Sequence, residues 1–228
     1  MGIRDNYEHI RKVVKDTAIA SGRDPEDVTI IAISKTFSAE VVQEAIDCGI
    51  TLLGENKVQE ARDKIPQLKG NFVFHLVGHL QSNKAKYAVK LFDCIHSIDK
   101  FSTADKVNTE AEKNERKIDI LVEVNTSGEE SKFGVAPEEA ESLCRQLLSL
   151  EHLNLVGLMT IGPLTDDKER IRQSFRMLRE LRDRINDSLG AGLKELSMGM
   201  SADFPIAIEE GATMVRIGSS IFGARSYR

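Results

Sequence analysis

The chain has no tryptophan, only three tyrosines and five prolines, and three cysteines in 228 residues. Cys48, Cys94 and Cys144 are odd in number, far apart and without a Cys-x-x-Cys pair, which argues against a disulfide framework or a thiolate metal site. A reducing, cytoplasmic compartment is the expected home. No apolar run approaches membrane-spanning length. The N-terminus, Met1-Gly2-Ile3-Arg4-Asp5-Asn6, is charged at once and lacks the apolar stretch of a secretory signal. Its Met-Gly start is not read as a myristoylation site, because Asn6 stands where serine or threonine is wanted. An excess of basic charge is also missing: 31 Lys and Arg face 36 Asp and Glu, a net charge of −5, so neither nucleic acid nor an acidic membrane is an expected partner. Linkers rich in proline or serine and low-complexity tracts are absent, and the length leaves no room for a second large domain. Residues 1–228 therefore read as one domain.

What is present is an alternation. Short β-branched or apolar runs recur at 28–33, 51–53, 72–74, 94–96, 118–124, 153–159, 194–197 and 214–217, eight strand candidates in all. Amphipathic stretches lie between them, including 39–48, 83–91, 138–150, 168–189 and 202–210, and an opening helix through Tyr7, Ile10, Val13, Val14 and Thr17 ends near Gly22. This pattern predicts a single (β/α)8 barrel with an additional N-terminal helix. An open doubly wound sheet is disfavoured because the first strand candidate is not followed by Gly-x-Gly-x-x-Gly. Functional residues of such a barrel gather at the C-terminal ends of its strands.

Lys35 follows the first strand in Ser34-Lys35-Thr36. A lysine against apolar walls and near another cation gains free amine able to attack carbonyls, although a lysine snorkelling into water would look the same in this segment. The far end of the chain is more informative. Arg216 interrupts the last strand between Val215 and Ile217, and alternation turns it toward the barrel interior, where a guanidinium requires a buried acceptor or anion. Gly218-Ser219-Ser220 follows and offers backbone N–H groups to a phosphate, and Ser201 in the preceding strand–helix loop can add its hydroxyl or, alternatively, share a helix N-cap role with Asp203. In barrels of this kind a phosphate cup is commonly built from the loops after strands seven and eight. Closure sets strand eight beside strand one, so Lys35, Arg216 and the cup should surround one volume. An amine beside a phosphate site suggests a sugar-phosphate aldolase or a pyridoxal phosphate protein. An arginine facing a pyridine nitrogen would hold the cofactor without strongly activating it.

The same segments carry a resemblance. Ala32-Ile33-Ser34-Lys35-Thr36, Gly54-Glu55-Asn56-Lys57-Val58-Gln59-Glu60, Leu80-Gln81-Ser82-Asn83-Lys84, the stretch 124–132, Leu196-Ser197-Met198-Gly199-Met200-Ser201, Arg216-Ile217-Gly218 and Ile221-Phe222-Gly223-Ala224-Arg225 resemble the pyridoxal phosphate homeostasis protein family over nearly the whole chain. The resemblance implies a barrel like the N-terminal domain of alanine racemase, with pyridoxal 5′-phosphate as a Schiff base on Lys35. It also implies Arg216 facing the pyridine nitrogen, Ser201, Gly218 and Ser219 holding phosphate, and Asn56 near the ring. Asn56 also suits a turn before the helix that starts near Lys57. His75 and His79, spaced i, i+4, sit in a strand and the turn after it and are not expected to bind metal together. His79 is assigned no catalysis and is read as solvated. Alanine racemase carries a further domain with a tyrosine base, for which Tyr7, Tyr87 and Tyr227 offer no recognisable counterpart.

Three functions are separable. The leading one is a non-catalytic pyridoxal phosphate binder, monomeric and cytoplasmic, with cofactor-requiring apoenzymes as its partners. The others are a weak pyridoxal phosphate enzyme acting on amino acids with Lys35 as base, and a lysine Schiff-base aldolase, which would be colourless as purified.

Overall fold

The computed structural model describes residues 2–223; Met1, Ala224, Arg225 and Tyr227 of the motifs above lie outside them. Eight parallel strands close into a barrel in sequence order: β1 (Thr29–Ile33), β2 (Leu52–Glu55), β3 (Val73–Leu76), β4 (Cys94–Ile98), β5 (Ile118–Glu123), β6 (Leu153–Met159), β7 (Glu195–Met200) and β8 (Met214–Ile217). The seam is the pairing of β1 with β8, in which Ile31 lies opposite Arg216 and Ala32 opposite Ile217. The helices follow the alternation: α2 (Ala39–Asp47), α3 (Val58–Lys64), α4 (Ala85–Leu91), α5 (Phe101–Lys113), α6 (Pro137–Leu147), α7 (Lys168–Leu189), α8 (Phe204–Glu209) and the short α9 (Ser219–Phe222), with α1 (Ile3–Ala20) ahead of the barrel.

Helix α1 places Ile3, Ile10, Val14 and Ala18 on one buried stripe. It is tied to the last helices through Asn6 Nδ2, which donates to Ile221 O at 3.0 Å, while Arg23 beyond its end donates to Ile208 O and Ala212 O at 2.9 and 2.8 Å. Helix α7 begins where Asp167 accepts from the N–H groups of Glu169 and Arg170 and ends at Gly190 in the left-handed region, as a strong cap pair directs. The main core lies between barrel and helices and takes one face of every strand, including Ala32, Phe74, Ile120, Leu196, Val215 and Ile217. The opposite faces fill the barrel. There Ile31, Ile33 and Val77 form one apolar cluster and Cys94, Leu121 and Met159 another.

Several strands run further than the apolar pattern indicates, all at their C-terminal ends. β2 extends through Gly54 and Glu55, β4 through Ser97 and Ile98, and β7 through Gly199 and Met200, where the register against β8 shifts. Helix α5, which the pattern does not single out, buries mainly small residues, Thr103, Ala104, Val107 and Ala111, and so presents a weak apolar stripe. Helix α8 starts at Phe204 rather than 202, because the Asp203 carboxylate turns back to accept from Met200 N at 2.6 Å. Neither Ser201 nor Asp203 caps it by side chain.

The ends of β1 and β2 are clamped by a buried ion pair. Lys64, on α3, meets the Glu55 carboxylate and donates to Ser34 O at 2.8 Å, while Ser34 Oγ donates to Glu55 Oε1 at 2.8 Å. Both charged side chains are at most 7% exposed. The residues after Ser34 and Glu55 are Lys35 and Asn56, so the clamp fixes two residues of the barrel mouth. Removing one partner of such a pair leaves the other charge uncompensated and typically costs about 3–5 kcal/mol, whereas replacing both is far milder. We expect Lys64→Met to lower stability by that order in urea unfolding, and Lys64→Met combined with Glu55→Gln to recover most of the loss; a double variant as unstable as the single one would contradict the clamp.

Candidate functional site

The C-terminal mouth of the barrel holds a cavity of about 280 Å³ lined by Lys35, Asn56, Ser201, Arg216, Gly218 and Ser219, with Ile33, Val77 and Ile161 among its apolar walls. Six residues read from separated segments of the sequence thus surround one volume. Lys35 follows β1 on the interior-facing alternation of Ile31 and Ile33. The next residue, Thr36, has φ of 70°, a left-handed conformation that a β-branched side chain rarely adopts, and its N–H donates to Glu60 Oε2 at 2.9 Å. The turn that presents Lys35 is therefore held by a motif residue on α3. Asn56 sits against the backbone of the neighbouring strand end, where a Cβ at Gly78 would lie 2.3 Å from Asn56 O, so only glycine permits that approach.

On the other side, Gly218 N donates to Ser201 Oγ at 3.3 Å, joining the loops after β7 and β8. Gly199, at φ 90°, lets the β7 end bend toward α8, where a Cβ would meet that of Ala207 at 2.6 Å. Ser219 opens α9, whose first N–H groups lack intrahelical acceptors by the geometry of a helix start.

Arg216 is 5% exposed and stands inside the barrel as alternation requires. Its Nη1 donates to Ser197 Oγ at 2.7 Å and its Nη2 to Thr160 O at 2.8 Å, and among the described residues no carboxylate lies within ion-pair distance. Burial lowers its pKa to about 10, with Asp203 and Glu123 opposing, so it remains a cation near neutrality. The hydrogen bonds continue: Ser197 Oγ lies 2.9 Å from His96 Nδ1, and His96 Nε2 lies 3.0 Å from His75 Nδ1. Arginine only donates, so the assignment satisfying each link has Ser197 donating to His96 Nδ1 and His96 Nε2 donating to His75. Burial depresses His75 to about 4 and His96 well below the usual imidazole value, which keeps both rings neutral.

Sequence reasoning did not find this chain, because its members come from β3, β4, β7 and β8. Nor did it place Cys94 with His75 and His96, although their ligand-type atoms lie within 4.8 Å of one another. There the two imidazoles bond to each other and burial raises the Cys94 thiol well above its usual value, an arrangement of neutral groups. His79 lies outside this trio and is not freely solvated as expected from the sequence: it stacks on Phe133 with ring centroids 4.0 Å apart, and its Nδ1 is buried. Glu123 also escaped notice. It is the last residue of β5, on the interior alternation of Asp119 and Leu121, a signal of the same kind that revealed Arg216.

Comparison with known proteins agrees with this architecture. The family model for the alanine racemase N-terminal domain matches residues 3–226. A pyridoxal phosphate homeostasis protein of Aquifex aeolicus is 44% identical over 228 residues, covering all of both chains. The chain belongs to the pyridoxal phosphate homeostasis protein family. Among solved structures, an unknown protein from Bifidobacterium adolescentis superposes with a TM-score of 0.91 at 34% identity, covering 96% of this chain and 94% of that one. PipY of Synechococcus elongatus, solved with pyridoxal phosphate bound, superposes with a TM-score of 0.82 at 33% identity, covering 92% of this chain and all of its own. The racemase-like barrel expected from the motifs is thus the fold of this family member. No helix among its described residues is long and apolar enough to cross a membrane.

The electrostatics of the mouth make a stability prediction. Burial, and next the nearby Asp99, raise Glu123 from 4.5 to about 7, against the lowering influence of Arg216. The folded state then holds this proton at a pH where the unfolded chain has lost it. Stability contributed by the neutral carboxyl is present below about 4.5 and is lost as pH rises through 7, a swing on the order of 3 kcal/mol. Glu123→Gln has no such proton to lose. Its stability relative to the parent should rise between pH values of about 4.5 and 7.5 in urea titrations, and a flat difference would show that Glu123 ionises normally.

Proposed function

We propose that this protein holds pyridoxal 5′-phosphate on Lys35 and serves intracellular supply of that cofactor as a binder, without strong catalysis. The observation that carries the reading is Arg216, a buried cation that lines the same cavity as Lys35 and has no carboxylate paired to it. Its two acceptors, Ser197 Oγ and Thr160 O, are both neutral, so its charge favours an anionic or strongly accepting ligand in that cavity. The donor set fits the cofactor: an amine for its carbonyl, a guanidinium for its ring nitrogen, and the Ser201 hydroxyl with the Gly218 and Ser219 N–H groups for its phosphate. When bound, pyridoxal phosphate supplies an aldehyde carbon and an electron-withdrawing ring.

The residues of the chain then divide the work. Lys35 would hold the carbonyl carbon through its amine nitrogen, the carbonyl oxygen leaving as water. Arg216 cannot take up a proton and would donate to the ring nitrogen, disfavouring protonation there and leaving the ring a poor sink for electrons. Asn56, which lines the same cavity, would border the ring, and Ile33, Val77 and Ile161 would exclude water beside it. That relatives carry the name of homeostasis proteins, and that PipY has been solved with pyridoxal phosphate, supports the same reading. It includes a monomeric state, apoenzymes that require the cofactor as partners, and a cytoplasmic location, the last in keeping with the three unpaired thiols.

Borohydride reduction of the loaded protein followed by peptide mapping should place the label on Lys35, and Lys35→Ala should lose the visible absorption while remaining folded. Loss of a charged donor to a buried acceptor costs about 1.5–3 kcal/mol, roughly ten- to a hundredfold in affinity. Folded Arg216→Ala should show a decrease of that size in cofactor affinity, and Ser201→Ala a smaller one; unchanged affinity in both would overturn the assignment. Catalysis is tested separately, with L-alanine in deuterated water. Racemisation should stay well below about 1 per second, and a faster rate lost in Lys35→Ala would make the protein an enzyme.

A further inference from the structure

Ser34, Lys35, Thr36 and Phe37 form a hydrogen-bonded turn at the end of β1, in which Phe37 N donates to Ser34 O at 3.2 Å. Thr36, the third residue, has φ of 70°, whereas Lys35, the second, does not have positive φ. Positive φ at the third residue alone marks a type II turn, and that position is normally glycine or asparagine. A β-branched threonine is strained there, and such strain persists only where the surroundings impose it.

Turns of types I and II differ in the orientation of one peptide, the one between their second and third residues. Here that is the Lys35–Thr36 peptide, and its N–H is the group that donates to Glu60 Oε2 at 2.9 Å. A flip to type I, which threonine adopts without strain, turns this N–H away from Glu60. The start of the turn is held separately, because Ser34 O accepts both from Phe37 N and from Lys64 Nζ. Glu60 and Lys64 stand about one turn apart on α3. Lys64 fixes where the turn lies, and Glu60 fixes which way its central peptide faces.

The consequence falls on Lys35. The flip carries ψ of the second residue from about +120° to about −30°, and the rotamers open to a side chain depend on its backbone angles. Lys35 lines the cavity of the barrel mouth, while Thr36 and Glu60 line a separate recess together with Phe37 and Gln67. Glu60 thus bears on the Lys35 amine from outside the cavity. Its other partner, Lys57 Nζ at 3.5 Å, belongs to a side chain that is 69% exposed, a surface pair that contributes little.

We infer that Glu60 is a positioning residue for the covalent hold on the cofactor: by accepting from Thr36 N it keeps the turn in its type II form and so aims the Lys35 amine into the cavity. This role rests on the proposed function, in which Lys35 carries pyridoxal phosphate. In that step the neutral Lys35 amine forms a carbon–nitrogen double bond to the carbonyl carbon, and the carbonyl oxygen leaves as water with both amine protons. The nitrogen must therefore enter with its lone pair toward that carbon, a demand on orientation that the phosphate and ring contacts do not share. Those contacts fall to Ser201, Gly218, Ser219 and Arg216, none of which belongs to this turn. Glu60 governs covalent attachment and leaves noncovalent binding alone.

The test is a double-mutant cycle on the full-length protein, read as affinity for pyridoxal phosphate in absorbance titrations. Glu60→Ala should weaken binding about tenfold where Lys35 is present and less than about twofold in the Lys35→Ala background. Glu60→Gln, whose amide oxygen still accepts from Thr36 N, should keep most of the affinity that Glu60→Ala loses. Thr36→Gly added to Glu60→Ala should recover part of the loss, because glycine adopts φ of 70° without strain. In the cofactor-free parent, NMR should show a strong cross-peak between Lys35 Hα and the Thr36 N–H, as a type II turn requires, and a weaker one in Glu60→Ala. An equal effect of Glu60→Ala in both backgrounds, failure of either rescue, or an unchanged cross-peak overturns the role of Glu60. A parent labelled at Lys35 by borohydride, with an affinity that Glu60→Ala does not move, overturns that role alone. A parent that takes no label at Lys35 overturns it together with the proposed function.

Discussion

A guanidinium enclosed in a β-barrel organises this molecule. Arg216 cannot shed its charge at the pH of a cell, so the surrounding chain has to meet it with oriented acceptors. Thr160 supplies a carbonyl and Ser197 a hydroxyl, and the hydroxyl, once engaged by a donor that never accepts, passes its own proton toward His96. From there the direction of each bond is set as far as His75. The same requirement divides the barrel interior, which would otherwise be continuous carbon, into the cluster around Ile31, Ile33 and Val77 and the cluster around Cys94, Leu121 and Met159. A polar stripe of this kind is destabilising if half satisfied and ordering when complete.

Two further devices place the rest of the mouth against that fixed point. The Glu55–Lys64 pair joins the ends of β1 and β2 beneath Lys35 and Asn56, and Ser201 Oγ accepts from Gly218 N to join the ends of β7 and β8. Each links neighbouring strands, and β1 and β8 are themselves paired. The polar lining of the cavity therefore draws on four consecutive strands around the closure seam, with Arg216 at its base and the strained turn at Thr36 at its edge. Rigid strand ends rather than long loops carry the groups, which suits a site whose members must hold a fixed spacing.

The legible part of the sequence was the part that breaks a local rule. Arg216 stood out because a charge interrupts an apolar strand, Lys35 because it ends one, and Gly218-Ser219-Ser220 because turn residues follow at once. The barrel itself followed from eight runs separated by helical pattern, and the strand ends were cut short because Gly54, Glu55, Ser97 and Gly199 look like turn residues while their backbones remain in or beside the sheet. What stayed hidden was relational. Nothing in the segment around Lys64 indicates that its amine reaches Glu55, and the approach of His75 to His96 depends on the register of β3 against β4. Glu123 is the instructive exception. It obeys the same interior alternation as Arg216, yet at the end of a strand an acidic residue looks like the beginning of a loop.

The polar groups of the mouth are divided by the ring itself. Around the seam stand groups able to donate: the Arg216 guanidinium, oriented by Ser197 Oγ and Thr160 O, the Ser201 hydroxyl and the Ser219 N–H. The acidic residues at the strand ends across the ring are Asp99, which follows β4, and Glu123, which ends β5. Bringing an acid within bonding distance of Arg216 would neutralise the guanidinium internally, but β8 and β4 stand on opposite sides of an eight-stranded ring, and no carboxylate among the described residues lies within ion-pair distance of it. A cation met only by neutral acceptors beside a cavity is what orients an anionic or strongly accepting ligand there.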